Sequence, residues 1–251
     1  MDRLPAQRNV IAGRARCPVR DTCANRRANR MLTLFHRPMC PHSRFVRLAL
    51  GEYGLEFRQV RERVWERREG FLILNPAGTV PVLITEGLPP VPGGAIIAEY
   101  LDESLGSELG DQRLLPHDPF PRVEVRRLMS WFNDQFFAEV SGPLTTEQYM
   151  RYMPLDAGGG SPDTEVIRAA RHNIRFHLAY IGTLVRTRDW LAGDRLTYAD
   201  LAAAAHLSAA EDLGGIPWSE DEAAKKWYSR VQSRSSFHSL IAQGWRGFVR
   251  R

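Results

Sequence analysis

The sequence predicts a small α/β domain at residues 31–105, followed by an all-helical domain at residues 122–251. Two observations lead to this fold class. Short strand-like segments alternate with helical periodicity in the first region, whereas only helical periodicity follows residue 121. A polar, proline-rich connector at residues 106–121 separates the two regions and is typical of a linker.

Length and composition fit a globular chain. The 251 residues are 43 % apolar and 25 % charged, which excludes wholesale disorder, a collagen-like fibre and a disulfide-stapled miniprotein. No apolar run approaches the roughly 20 residues of a membrane-spanning helix, so we expect no membrane insertion. Three cysteines, an odd number, favour a reducing compartment, and we therefore expect a cytoplasmic protein with no metal centre.

The net charge of +5 is concentrated at the start of the chain. Residues 1–30 contain eight arginines and two aspartates, and the remaining residues are close to neutral. A neutral body argues against a nucleic-acid surface. Residues 1–30 lack periodicity and are interpreted as a disordered basic tail, as a targeting peptide, or as an incorrectly assigned start ahead of Met31.

The elements of the α/β domain follow from local patterns. Residues 32–35 predict a strand, and apolar residues at helical spacing from Val46 to Tyr53 predict a helix that Gly54 ends. This strand–helix–strand start implies a parallel strand pair. The remaining predicted elements are a strand at 55–58, a short helix at 71–74, a strand at 80–85 and a helix near 96–101.

The second domain shows one long apolar stripe and three further helices. The stripe consists of Val125, Leu128, Met129, Phe132 and Phe136. The later helices are predicted to begin near Asp163 and to cover residues 197–210 and 220–231.

Cys40 lies between the first strand and the first helix, in Cys40-Pro41-His42-Ser43-Arg44. A thiol at a helix N-terminus has a lowered pKa and can act as a thiolate nucleophile. Ser43 offers a second candidate, since its hydroxyl could hydrogen-bond a bound thiolate. The alternative is an inert, buried cysteine. His42 has no carboxylate nearby in sequence, and we interpret it as facing solvent rather than as catalytic.

A second motif opens the third strand, in the segment from Asn75 to Val82. A cis Val80-Pro81 bond would turn the backbone so that the N–H and C=O of Val80 face an extended ligand. The alternative is an ordinary loop with two prolines.

Thr197 and Asp200 form a predicted capping box, with Leu196 and Leu201 as its hydrophobic staple. Its role is structural, because it starts a helix in the core. Replacing both Thr197 and Asp200 by alanine is predicted to cost about 1–3 kcal/mol of stability.

Together these motifs resemble the glutathione S-transferase family from Met31 to about residue 240. The segments that carry the resemblance are Cys40–Ser43, Asn75–Leu83, Ile97–Leu101, Leu115–Pro119 and Trp190–Gly193. The resemblance implies a thioredoxin-like domain followed by a helical glutathione-transferase domain. It also implies that Cys40 or Ser43 faces the glutathione sulfur, and that Val80, beside Pro81, pairs with the cysteinyl backbone.

One departure from that family concerns Gly93 and Gly94. Family members usually carry an acidic residue and a serine here, which hold the γ-glutamyl group of glutathione. Glycines supply backbone donors only, and each lost charge-assisted bond is worth about 1.5–3 kcal/mol. We therefore lean towards a protein that is not an enzyme and requires no cofactor, with glutathione allowed as a ligand.

Within the family the chain looks like a group of bacterial division proteins, the FtsZ-localised protein A group. The segments that carry this similarity are Glu66–Leu72, Ser161–Thr164, Tyr198–Ser208 and Pro217–Lys225. It implies a homodimer that binds FtsZ filaments at the division site. The end of the chain, residues 244–251, departs from the pattern of that group.

Candidate partner-binding residues are Trp65, Glu147, Arg168 and Arg171. An exposed tryptophan among arginines suits an interface. Packing explains Trp65 equally well, and ordinary solvated helix charges explain the other three. Two other functions stay open: a transferase or thiol reductase acting through Cys40 or Ser43, and a scaffold dimer for another protein.

Overall fold

The computed structural model describes residues 31–241, so the predictions for residues 1–30 and 244–251 lie outside the described residues. The first half contains β1 (Leu32–His36), α1 (Pro41–Glu52), β2 (Phe57–Arg61), α2 (Glu69–Leu74), β3 (Val82–Thr85), β4 (Val91–Pro92) and α3 (Gly94–Leu109). The second half contains α4 (Pro119–Ser130), a π-helix (Trp131–Ser141), α5 (Gly142–Met150), α6 (Thr164–Val185), α7 (Tyr198–Asp212), α8 (Glu222–Gln232) and α9 (Ser235–Ile241).

The four strands form one mixed sheet in the order β2-β1-β3-β4. β1 and β2 are parallel, as the strand–helix–strand pattern predicts, and Leu34 lies opposite Gln59 in their register. β3 runs antiparallel to β1, and the two-residue β4 pairs with β3 at the edge. Between residue 121 and residue 241 no strand of the sheet occurs, which confirms the predicted α/β plus all-α architecture.

Three predicted boundaries are wrong. β2 begins at Phe57 rather than residue 55, and β3 begins at Val82 because Val80 and Pro81 belong to the preceding turn. The connector is also shorter than predicted, since α3 continues past Gly106 to Leu109.

The helix continues through Gly106 because that glycine makes room for a neighbouring side chain. A Cβ at position 106 would lie only 2.7 Å from Nε of Arg113. Through this gap Arg113 reaches the buried carboxylate of Asp102, with Nε–Oδ1 and Nη2–Oδ2 distances of 2.7 and 2.6 Å. Gly106 thus serves packing, and α3 ends before Gly110, whose φ is +49°.

One continuous apolar core joins the sheet to the helical half. Helix α1 lies at the centre and contacts both α7 and α9. Its buried Arg44 donates to Ser208 Oγ at 2.9 Å and pairs with Asp212 at 2.5 Å, both near the end of α7. Because a buried charge is tolerated only when paired, this contact fixes α1 against α7.

Candidate functional site

The Cys40 and Val80 motifs meet at the start of α1. Cys40 is the N-cap residue of that helix and is 5 % exposed. The Val80-Pro81 peptide bond is cis, and the carbonyl oxygen of Val80 lies 3.8 Å from Sγ of Cys40. The two loops that sequence reasoning singled out therefore build one site.

The Cys40 thiol is strongly acidic for a cysteine. Burial acts to raise its pKa, but the hydrogen bond with His42 and the positive charge of Arg37 outweigh burial and lower the pKa to about 6. Ser43 contributes in the same direction through its hydroxyl. These contacts favour the thiolate form of Cys40 over the thiol.

His42 does not face solvent, so that prediction is wrong. Its Nε2 donates to the backbone carbonyl of Asn133 at 3.0 Å, and its ring packs edge-on against Phe137 with centroids 4.5 Å apart. Burial acts to lower the pKa of His42, but the contacts with Cys40 and Asn133 raise it overall. The acceptor lies 91 residues away along the chain, so no local pattern could have revealed it.

Ser43 closes the turn ahead of Cys40 rather than pointing into open space. It is fully buried, and its Oγ accepts a hydrogen bond from the backbone N–H of Arg37 at 3.4 Å. A hydrogen bond from its hydroxyl to a bound thiolate stays a prediction, although Ser43 lies on the same helical turn as Cys40.

Gly93 and Gly94 lie beside the cis-proline turn, at the start of α3. The N–H of Gly93 donates to the carbonyl of Pro81 at 2.9 Å. Gly93 has a φ of +91°, a conformation that side chains rarely adopt, and a Cβ at Gly94 would lie 3.3 Å from Phe45. The two positions present backbone alone, with neither a carboxylate nor a hydroxyl.

A groove of about 610 Å³ opens next to Arg37 and Pro38. We call it the arginine groove, and its other lining residues are Arg61, Glu62, Arg63, Trp65, Glu66, Arg68, Tyr152 and Pro154. Glu62 pairs with Arg68, and Glu66 pairs with Arg63. Arg61 forms no ion pair with any residue in the described range, and Arg37 lies 4.4 Å from the Tyr149 ring centroid. The groove therefore has an excess of positive charge.

The four candidate partner-binding residues do not form one cluster. Trp65 is half-buried in the arginine groove, with its ring centroid 6.1 Å from that of Tyr149. Glu147 is only 7 % exposed and accepts from the backbone N–H of Asp163 at 2.7 Å. Arg168 and Arg171 are exposed on α6, and Arg168 pairs with Glu165. Their roles towards a partner stay predictions.

The capping box at Thr197 and Asp200 is confirmed. Asp200 is fully buried and accepts from the N–H of Thr197 at 3.0 Å. It also accepts from the N–H of Leu191 and from Nε1 of Trp227, both at 2.9 Å. These additional bonds make Asp200 a junction between α7, α8 and the loop before α7.

Sequence reasoning missed four residues around the site: Arg37, Arg61, Asn133 and His206. Arg37 and Arg61 appear in the sequence as ordinary surface arginines, and only the fold brings them to one groove. Asn133 lies within the apolar helical stripe, and His206 lies in the segment Tyr198–Ser208, where it contributed only to the resemblance. Within residues 31–241 there is no group of three potential metal ligands, and no helix is long and apolar enough to cross a membrane.

Two family models match this chain. They are the N-terminal domain of glutathione S-transferase at residues 39–104 and the C-terminal domain of glutathione S-transferase at residues 148–235. The chain belongs to the glutathione S-transferase family. The first match contains Cys40, His42, Val80, Gly93 and Gly94, whereas Arg37, Asn133 and Phe137 lie outside both matched ranges.

Among relatives in this family, FtsZ-localized protein A of Caulobacter vibrioides is 42 % identical over 221 residues, covering 86 % of this chain and 93 % of the relative. The structure of FzlA from C. crescentus superposes with a TM-score of 0.78 at 41 % identity, over 86 % and 94 % of the two chains. A glutathione S-transferase from Sinorhizobium meliloti 1021 superposes with a TM-score of 0.84 at 49 % identity, over the same shares. The chain is thus similar along most of its length both to FtsZ-localized protein A and to a bacterial glutathione S-transferase.

Proposed function

We propose that this protein binds FtsZ filaments and regulates bacterial cell division without glutathione chemistry. The observation that carries the proposal is the 42 % identity to FtsZ-localized protein A over 93 % of that relative. Its place of action would be the cytoplasmic face of the division site.

The glycines at positions 93 and 94 support a role without glutathione. The amino group of glutathione carries a positive charge and needs an acidic partner, which neither glycine provides. A carboxylate cannot simply be restored at position 93, because the left-handed backbone there disfavours every side chain. Catalysis that depends on a tightly held glutathione is therefore disfavoured.

The arginine groove is the surface that best suits the partner. It combines a half-buried aromatic ring, Trp65, with two cations that have no carboxylate partner in the described structure, Arg37 and Arg61. Tryptophan and arginine are the side chains that most often dominate binding energy at interfaces. An unpaired cation beside an aromatic ring favours an acidic segment on the partner.

A homodimer is the proposed assembly, and the neighbouring faces of α3 and α4 are its proposed interface. Ile96 on α3 and Val123 on α4 are large apolar side chains that are 59 % and 64 % exposed. The ion pair between Glu99 and Arg126 links the same two helices, so the two apolar residues belong to one surface.

Co-sedimentation with FtsZ polymers tests the proposal. We expect the wild type to pellet with polymers, and Arg61→Glu and Trp65→Ala to lose at least about ten-fold in affinity, the effect of about 1.4 kcal/mol. Arg58→Glu is the matched control, because Arg58 is exposed on the same strand but does not line the groove. A wild type that fails to pellet at every salt concentration would reject FtsZ binding.

The second candidate function is a thiol-dependent enzyme, which the lowered pKa of the Cys40 thiol favours. A transferase would activate glutathione for attack on a small electrophile, and a thiol reductase would form a mixed disulfide with Cys40. Turnover of a model electrophile that falls sharply in Cys40→Ala or Ser43→Ala would support this candidate. Equal rates in both variants and the wild type would eliminate it.

A further inference from the structure

An unusually long π-helix, Trp131–Ser141, lies between α4 and α5. Each N–H of a π-helix bonds to the carbonyl five residues earlier, and the N–H of Gly142 accordingly donates to the carbonyl of Phe137. Most π-helices are single turns, and they are frequently found at functional sites. This one contributes Asn133, Phe137 and Ser141 to the surroundings of Cys40 and His42.

Gly142 makes this helix sterically feasible. A Cβ at position 142 would lie 2.6 Å from the carbonyl oxygen of Phe137, which is closer than real Cβ contacts allow. Because the obstructing atom belongs to the backbone, an alanine at position 142 must displace the end of the π-helix. A remote substitution can therefore perturb the π-helix without altering any residue that touches Cys40.

The π-helix fixes the orientation of the His42 ring. A carbonyl oxygen only accepts hydrogen bonds, so the contact with Asn133 requires a proton on Nε2 of His42. Nδ1 is then the nitrogen left for Cys40. With Nε2 occupied by a carbonyl, the ring can take a second proton from the thiol and become an imidazolium facing a thiolate.

His206 on α7 supports the same ring from the other side. It is fully buried, and its ring stands edge-on to that of His42, with centroids 5.2 Å apart. Nδ1 of His206 lies 2.7 Å from Ser141 Oγ, and Nε2 lies 3.2 Å from Oδ1 of Asn133. The amide oxygen accepts from Nε2–H, and because burial keeps the ring of His206 neutral, its Nδ1 accepts from the Ser141 hydroxyl.

The two histidine rings cannot both be positively charged at this separation inside the protein. Burial and the charge of His42 place the pKa of His206 well below its ordinary value. The other charged or titratable groups that act on the pair are Arg37 from the β1–α1 turn, Asp134 from the π-helix and Tyr149 from α5. Arg37 and Asp134 act in the same direction, one favouring the thiolate and the other the imidazolium.

We propose that the π-helix and the Ser141–His206 pair are positioning elements that hold His42 as an imidazolium beside a Cys40 thiolate, making Cys40 a nucleophile towards soft electrophiles. This inference does not depend on FtsZ binding or on glutathione. In the simplest reaction the sulfur of Cys40 forms a bond to the methylene carbon of iodoacetamide, and iodide leaves with the electron pair of the broken carbon–iodine bond.

The test is a pH titration of the ultraviolet absorbance of the thiolate in the full chain. Subtracting the curve of Cys40→Ser removes the absorbance that the other two cysteines contribute. We expect a midpoint near pH 6 in the wild type, and a rise of about one pH unit, a ten-fold change in the acid dissociation constant, in Gly142→Ala and Ser141→Ala. Gly70→Ala is the control, because a Cβ there meets open space.

The rate of alkylation by iodoacetamide as a function of pH provides a second readout, and its midpoint should move with the absorbance. Ser141→Ala removes only a hydroxyl, so it tests the proposal even if Gly142→Ala fails to fold, which circular dichroism would reveal. A folded Gly142→Ala or Ser141→Ala with the wild-type midpoint overturns the positioning role. A wild-type midpoint at the ordinary cysteine value, about 8.5, overturns the thiolate itself.

Discussion

The replacement Asp200→Ala should destabilise the protein far more than a normal helix-cap mutation. Three N–H donors lose their acceptor, those of Thr197, Leu191 and the Trp227 indole, and all three are bonded at 2.9–3.0 Å to a carboxylate with no solvent exposure. Each buried donor left unsatisfied costs about 1–3 kcal/mol. We therefore expect a loss of about 3–5 kcal/mol, which exceeds the roughly 1–3 kcal/mol predicted from the capping box alone because the bonds from Leu191 and Trp227 are added.

Equilibrium unfolding in urea, followed by circular dichroism, measures this loss. The matched control is Asp118→Ala, because Asp118 is also an N-cap aspartate but, among residues 31–241, it accepts from a single donor, the N–H of Phe120, at an exposed site. Asp118→Ala should cost about 1 kcal/mol, the usual value for a lost cap. Thr197→Ala should fall near the same value, since it leaves the Asp200 carboxylate in place.

Two outcomes would refute this reasoning. One is an Asp200→Ala variant that loses no more stability than Asp118→Ala, which would mean that the three donors find other acceptors. The other is a loss shared equally by Thr197→Ala and Asp200→Ala, which would reduce the motif to an ordinary capping box. The larger expected cost comes entirely from Leu191 and Trp227, whose bonds to Asp200 are absent from the sequence motif.

Three further predictions concern the ligand site, the assembly and the core. Isothermal titration should detect no tight binding of glutathione, and a complex with its amino group firmly held by an acidic residue would contradict the non-catalytic role. Ile96→Glu or Val123→Glu should convert a dimer to a monomer in light scattering, whereas Phe176→Glu, an exposed apolar position on α6, should not. Arg44→Met should lower the free energy of unfolding by about 1–3 kcal/mol because Ser208 and the partly exposed Asp212 lose their charged partner, and an unchanged urea midpoint would contradict this.

Local signals were sufficient for most of the α/β domain. The turn between β1 and α1, the cis-proline segment and the capping box each involve residues a few positions apart, and each forms as the sequence predicts. The predicted end of α3 at Gly106 is wrong, because in the sequence a glycine that makes room for Arg113 looks the same as one that ends a helix.

The surroundings of Cys40 could be predicted only in part. The thiol at a helix start is visible in the sequence, whereas the partner of His42 is a backbone carbonyl, which every residue possesses. No motif in this sequence predicts the π-helix. Gly142, within an otherwise helical segment, is the one local sign that the backbone there packs too closely for a side chain. Long-range contacts of this kind depend on how helices stack, which local spacing does not encode.

The narrow β4 strand limits how copies of this protein can associate. Pro92 has no N–H to offer, and Pro89 and Pro90 precede the strand, so the rim of the sheet on that side has few donors for an incoming strand. The opposite rim, β2, carries the charged side chains Arg58 and Arg61. Edge-to-edge pairing of sheets into fibres is therefore disfavoured at both edge strands, and self-association is directed to helical surfaces.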